Sequence, residues 1–118
     1  MSGIIDKNGY MIADFVGNAE LSLVIAWSSC CEPCNRLRKN FFQIKQEFLG
    51  LAIAWVFVEN YLYSLEKACE KMSGERCRVT KIPAFLLFGD KGKFVKWYGY
   101  DNPEKCINHI KQAIEKIS

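Results

Sequence analysis

Histidine is almost missing from this chain: among 118 residues it occurs once, as His109. With no paired acid in the sequence, His109 reads as a solvated helix-surface residue rather than a catalytic base. A Cys-His zinc site would need three or four of its ligands from cysteine, and the lack of a second Cys-x-x-Cys argues against a zinc ribbon. No apolar run approaches the roughly 20 residues that span a bilayer. Met1-Ser2-Gly3-Ile4-Ile5-Asp6 has neither the charged nor the apolar segment of a secretory signal. A soluble cytoplasmic protein without a membrane partner is the expectation. A basic stripe is lacking too: the net charge of +3 comes from 16 basic and 13 acidic residues dispersed along the chain, so nucleic acid is not an expected partner. There is no internal repeat, low-complexity tract or linker. Half of the residues are hydrophobic and a quarter charged, which suits one domain over residues 1–118 with a single core.

What the chain does have is cysteine, six in all. Such a count in a small secreted protein would suggest a disulfide framework. Here Cys30, Cys31 and Cys34 crowd into five residues while Cys69, Cys77 and Cys106 are scattered, and a chain this apolar can fold without staples. In a reducing compartment a tight Cys-x-x-Cys reads as redox-active or metal-binding.

The elements alternate. Leu21 to Trp27 is a nearly continuous apolar run of strand length, as expected for a central strand covered on both faces. A helix is predicted from about Pro33 to Glu47, with Leu37, Phe41, Ile44 and Phe48 on one face and Gly50 ending it. Leu51 to Val58 forms a second buried strand. Leu62, Leu65, Cys69 and Met72 mark a helix that stops at Ser73-Gly74. Ala84 to Phe88 and Lys93 to Tyr98 flank Gly89-Asp90-Lys91-Gly92 as an antiparallel hairpin. Asn102 caps a closing helix with Pro103 at its first position and Ile107, Ile110, Ile114 and Ile117 inward. Nearer the start, a short strand at Ile4-Ile5 and a helix from Tyr10 to Val16 are expected. A parallel β-α-β unit followed by a hairpin and a helix gives an α/β mixed sheet with helices on both faces.

Trp27-Ser28-Ser29-Cys30-Cys31-Glu32-Pro33-Cys34 runs from the end of a buried strand into the start of a helix. The first turn of a helix leaves unpaired N–H groups and a positive dipole end, and both favour thiolate over thiol at Cys31. Pro33 suits that turn, where its missing N–H costs nothing. Two intervening residues let Cys34 reach back and close a disulfide, so that Cys31 attacks and Cys34 resolves.

With Trp27 four residues before Cys31, the Cys31-Glu32-Pro33-Cys34 motif, Ile82-Pro83 opening a strand, and Gly99 lying 16 residues beyond Pro83, the chain resembles the thioredoxin family over nearly its whole length. The resemblance implies a central mixed sheet of four to five strands flanked by helices on both faces, and a cis Ile82-Pro83 bond. It places Pro83 beside Cys31, has the backbone at Ile82 pair with an extended substrate segment by strand addition, and sets Trp27 and Gly99 along the same groove.

Three residues depart from the family's pattern. Cys30 stands where tryptophan is usual; it reads as a small, weakly polar substitute, as a third redox thiol, as a vicinal partner for Cys31, or as a soft-metal ligand. Glu32 replaces a common glycine, and its carboxylate opposes a neighbouring thiolate, so Cys31 is expected nearer the ordinary thiol range than in thioredoxin. Ile25 replaces a buried aspartate that the family uses near the second cysteine, leaving the resolving step without an obvious general base. The segment between Asn60 and Thr80 is longer than the resemblance leads one to expect. Within it, Cys69 lies on an apolar stripe and reads as a buried structural thiol. Cys77 is expected in an exposed loop, with an accessory disulfide to Cys69 open in an oxidising compartment. Cys106 reads as core, and Trp97-Tyr98-Gly99-Tyr100 equally as a binding surface or a packed strand end.

The leading expectation is therefore a thiol-disulfide oxidoreductase, a monomer without cofactor or metal. It acts on protein disulfides and is recharged by an electron-donating disulfide reductase in cell redox homeostasis. The competing readings are a binding module of the same fold without turnover, and a soft-metal protein using Cys30, Cys31 and Cys34.

Overall fold

The structure is a computed structural model that describes residues 12–17, 20–90 and 93–117. The order of elements is α1 (Ile12–Gly17), β1 (Ser22–Trp27), α2 (Glu32–Gln46), β2 (Ala52–Phe57), α3 (Val58–Ser73), β3 (Ala84–Phe88), β4 (Phe94–Tyr98) and α4 (Pro103–Ile117). The four strands form one mixed sheet in the order β2-β1-β3-β4. β1 pairs parallel with β2, Ile25 opposite Trp55, and antiparallel with β3, Ile25 opposite Phe85. β4 closes the sheet antiparallel to β3.

The continuous apolar runs are explained by burial on both faces. Successive side chains of a strand point to opposite faces, and here each face has its own apolar layer. Leu23, Ile25, Ile53, Trp55, Phe85 and Leu87 pack with Leu37, Phe41 and Ile44 of α2 and with Cys106, Ile110 and Ala113 of α4. Val24, Ala26, Val56, Ala84, Leu86 and Phe88 pack with Ile12 and Val16 of α1 and with Leu65 and Cys69 of α3. Asn102 caps α4 as expected, its side-chain oxygen accepting from Lys105 N–H at 2.9 Å.

Two boundaries differ from the sequence expectation. α3 begins at Val58, directly after β2, with Phe57 as an N-cap that makes no side-chain bond. Its apolar stripe runs back through Tyr61 and Val58, both partly buried against the core, but nothing polar marks the start. α2 stops at Gln46 with Glu47 as cap, so Phe48 and Gly50 lie in the following turn and not on the helix. α3 ends as expected at Gly74, whose φ of 75° is left-handed and whose N–H returns to Glu70 O at 2.8 Å. The Ile4-Ile5 strand, Tyr10 and Met11 of the first helix, and Lys91-Gly92 of the hairpin turn lie outside the described residues.

Candidate redox site

β1, an interior strand, ends at Trp27, Ser28 follows it, and α2 begins four residues after Ser28, so the whole motif is a strand-to-helix turn. Ser28 holds that turn. Its carbonyl accepts from Cys31 N–H at 3.3 Å, its hydroxyl accepts from Cys30 N–H at 3.3 Å, and the same hydroxyl donates to Glu59 in the first turn of α3. Cys31 is the N-cap of α2 in extended conformation. Its sulfur accepts the Cys34 N–H at 3.2 Å, one of the orphan donors of the first turn. Pro33, in that same turn, has no N–H to leave unpaired.

Cys31 and Cys34 lie with their sulfurs at bonding distance and their Cα atoms 5.2 Å apart, the oxidised form of the pair. They are unequally placed. Cys31 is half-buried, while Cys34 is fully buried on the inner face of α2. An incoming group therefore meets Cys31 first. Across the site, Cys31 Sγ is 3.7 Å from the carbonyl oxygen of Ile82, which can accept the thiol proton when the pair is reduced. The Ile82-Pro83 peptide is cis. Pro83 O accepts from Gly99 N–H at 2.8 Å, and Gly99 has a φ of 93° that L residues rarely adopt. Cys31, Ile82, Pro83 and Gly99, distant in sequence, are thus brought to one place. Beside Gly99 opens a shallow groove bordered by Tyr98, Tyr100, Asp101, Lys105 and His109.

Trp27 sits one strand-end away, its ring 5.0 Å from Phe57 and covered by the Arg38 guanidinium at 3.9 Å. Glu32, exposed on the first turn of α2, is held by Arg36 in a two-pronged pair at 3.0 and 3.2 Å. That hydrogen bond raises the Arg36 guanidinium above its ordinary pKa, and Arg36 also donates to Asp101 O at 2.9 Å. The pair shares the Glu32 charge with a cation, which weakens the repulsion expected at Cys31. Sequence reasoning passed over Arg36 although its i,i+4 spacing from Glu32 was readable. It also passed over Ser28 and Glu59, whose 31-residue separation leaves no local signal.

Cys30 is exposed and free. Among the described residues no group of three or more His, Cys, Asp or Glu side chains is arranged to hold a metal ion, so Cys30 is not gathered with Cys31 and Cys34. Ile25 is fully buried in the α2/α4 layer. Cys106 is core, and burial pushes its thiol up to about 12. Cys77 departs from expectation: it is fully buried rather than exposed, because it turns inward with Val79 while Arg76, Arg78 and Thr80 face out. The aromatic stretch is packed. Trp97 stacks on Phe85 at 5.2 Å, Tyr98 donates to Arg78 O at 3.0 Å, and buried Tyr100 accepts from Asn40 at 3.1 Å.

No protein-family model and no curated protein matches the chain. Solved structures do. Mitochondrial thioredoxin 3 from Saccharomyces cerevisiae, in its oxidised form, is 21% identical over 92% of this chain and 94% of that one, with a TM-score of 0.72. This chain has the thioredoxin fold. A thioredoxin variant from Halobacterium salinarum is 19% identical over 96% of this chain and 94% of its own, with a TM-score of 0.73. A further thioredoxin-fold match, from a complex of ferredoxin:thioredoxin reductase with thioredoxin f2, is 12% identical over 93% and 94%, with a TM-score of 0.74. Among the described residues no helix is long and apolar enough to cross a membrane.

Proposed function

We propose that the chain is a thiol-disulfide oxidoreductase acting on protein disulfides, with Cys31 as nucleophile and Cys34 as resolving thiol. The observation that carries this reading is the asymmetry of the pair at the start of α2. Cys31 is half-exposed and receives a helix N–H on its sulfur, and Cys34 is fully buried behind it. The Cys31 thiolate attacks one sulfur of a substrate disulfide, forming a mixed disulfide and releasing the other sulfur as a thiolate. Cys34, deprotonated, attacks Cys31 Sγ, expels the second substrate thiolate and closes the Cys31–Cys34 bond. Two electrons pass from the pair to the substrate, without a bound cofactor. Ile82, Pro83, Gly99 and Trp27 border the path of an extended substrate segment, which pairs with the backbone at Ile82. Cys30, Glu32 and Pro33 modulate the pair, Pro33 through the helix start and Glu32 through its charge, which Arg36 shares.

Ile25 supplies no carboxylate to help deprotonate Cys34, so the resolving step is the slow one. An electron-donating disulfide reductase re-reduces the pair; the reductase in complex with a thioredoxin among the similar structures supports a partner of this class. The site of action is a reducing, cytoplasmic compartment, with the protein a monomer. The test is reduction of a protein disulfide under matched reductant. Wild type turns over, Cys31→Ser falls to background, and Cys30→Ser keeps most of the rate. Wild-type protein that binds the substrate without reducing it indicates a binding module instead. A Cys30→Ser variant as inactive as Cys31→Ser overturns the assignment of roles.

A further inference from the structure

The residues that border the redox site come from three places in the chain, and hydrogen bonds close them into a ring. Cys31 Sγ faces Ile82 O at 3.7 Å, and Pro83 O accepts from Gly99 N–H at 2.8 Å. Gly99 opens the connection between β4 and α4, residues 99–102, which form neither helix nor strand. Such a connection lacks the backbone ladder that fixes a strand, so its distance from α2 depends on side-chain ties. Arg36 supplies one. It stands on α2 one turn after Glu32, and each of its three guanidinium nitrogens is engaged. Nε and one Nη donate to the two carboxylate oxygens of Glu32 at 3.0 and 3.2 Å. The other Nη donates to Asp101 O at 2.9 Å, and the guanidinium carbon lies 5.7 Å from the centre of the Tyr100 ring. One turn further along α2, Asn40 donates to the Tyr100 hydroxyl at 3.1 Å. From α4, Lys105 donates to the Asp101 carboxylate at 2.7 Å. The ring thus runs from Cys31 and Glu32 through Arg36 to Asp101, back to Gly99, and through Pro83 and Ile82 to Cys31.

We propose that Arg36 is a positioning residue for the binding of protein substrates, a role that rests on the disulfide-exchange reading above. Its guanidinium clamps the Gly99–Asp101 wall of the groove to the start of α2, so that an extended segment meets Gly99 and Cys31 at a fixed spacing. The pair with Glu32 is exposed, with side-chain exposures of 73% for Glu32 and 42% for Arg36, and an exposed ion pair adds little stability. What the pair does is orient the guanidinium. Held by both carboxylate oxygens, the planar fork presents its remaining Nη to the Asp101 carbonyl. A lysine keeps the charge but carries a single nitrogen on a flexible stem, and it does not hold Glu32 in a fork and reach Asp101 O together. Without the clamp, the connection shifts against α2 with Gly99, at its φ of 93°, as the joint. The Cys31 sulfur keeps its place, because Cys34 N–H and the turn at Ser28 hold it. A lysine also keeps a cation beside Glu32, so the charge felt at Cys31 is preserved. Arg36 therefore sets how a large substrate seats, through a geometry that is separable from the reactivity of the sulfur.

The test compares the full-length wild type with Arg36→Lys on two disulfides, insulin and hydroxyethyl disulfide, the second too small to span from Cys31 to residues 99–102. For insulin, Arg36→Lys is expected to raise KM about five-fold, the scale of one net hydrogen bond, with kcat unchanged. Its kcat/KM for hydroxyethyl disulfide and the alkylation rate of its reduced Cys31 are expected to match wild type. Amide hydrogen exchange across residues 99–102 of the reduced variant is expected to accelerate several-fold, while exchange along α2 stays as in wild type. An unchanged KM for insulin overturns the proposal. So does an equal loss of kcat/KM on both disulfides, which marks a general structural or chemical role. Should wild type reduce neither disulfide, the disulfide-exchange reading fails, and amide exchange decides the clamp by itself: acceleration across residues 99–102 in Arg36→Lys upholds it, and unchanged exchange overturns it.

Discussion

At the start of α2, Cys31 is half-exposed and receives a backbone N–H, whereas at the end of α3 and just past it, Cys69 and Cys77 are fully buried in one apolar layer. One pair lies where a strand hands over to a helix, with unpaired donors and open solvent on one side. The other two cysteines lie inside an apolar layer, closed to solvent. The side chains are the same in both; access differs. The first site presents a sulfur to solvent.

The comparison is most exposed to a test of reactivity. In the reduced native protein at neutral pH, a water-soluble alkylating reagent is expected to modify Cys30 and Cys31 about 100-fold faster than Cys69, Cys77 or Cys106, equivalent to an opening cost of about 2.7 kcal/mol. Cys106 carries a further handicap. Its thiol is raised to about 12 by burial, so its thiolate fraction at neutral pH is far below that of an ordinary thiol, and its labelling should accelerate only as pH climbs toward that value. Comparable rates at Cys31 and Cys77 would erase the distinction between the two sites.

Replacing sulfur by oxygen should separate the pairs in stability next. Cys69→Ser places a hydroxyl in an apolar layer and is expected to cost about 1–3 kcal/mol in urea unfolding of the reduced protein. Cys31→Ser, at an N-cap where serine is itself favoured, should change stability by no more than about 0.5 kcal/mol. Gly99→Ala, at the border of the first site, forces a β-carbon into a φ of 93°. A loss of about 1 kcal/mol is expected from that backbone alone, together with a raised KM. The smallest effect belongs to Glu32→Gln. The ion pair with Arg36 is exposed, so the stability change should stay within about 0.5 kcal/mol. With the carboxylate gone, alkylation of Cys31 should shift toward lower pH, because a negative neighbour no longer opposes the thiolate.

The sheet was legible because its strands are buried on both faces and show as unbroken apolar runs, and because Gly74, Asn102 and Pro103 mark helix ends by known rules. The placement of Cys31 between strand and helix followed from the same reading. The start of α3 did not, since Phe57 offers no capping side chain. Cys77 was misplaced because its polar neighbours suggested a solvated loop. The alternation of Cys77 and Val79 inward with Arg76, Arg78 and Thr80 outward was the signal to the contrary, a period of two in a segment that forms no strand. The tie from Glu59 through Ser28 to the Cys30 amide joins elements far apart in sequence, and only the fold brings them together.

The most direct measurement is to trap the intermediate. Cys34→Ser protein, reduced and mixed with a protein disulfide, should accumulate a covalent complex whose mass map places the substrate cysteine on Cys31 alone. Attachment at Cys30, or no complex at all from a folded variant, would contradict the assignment of Cys31 as the attacking thiol.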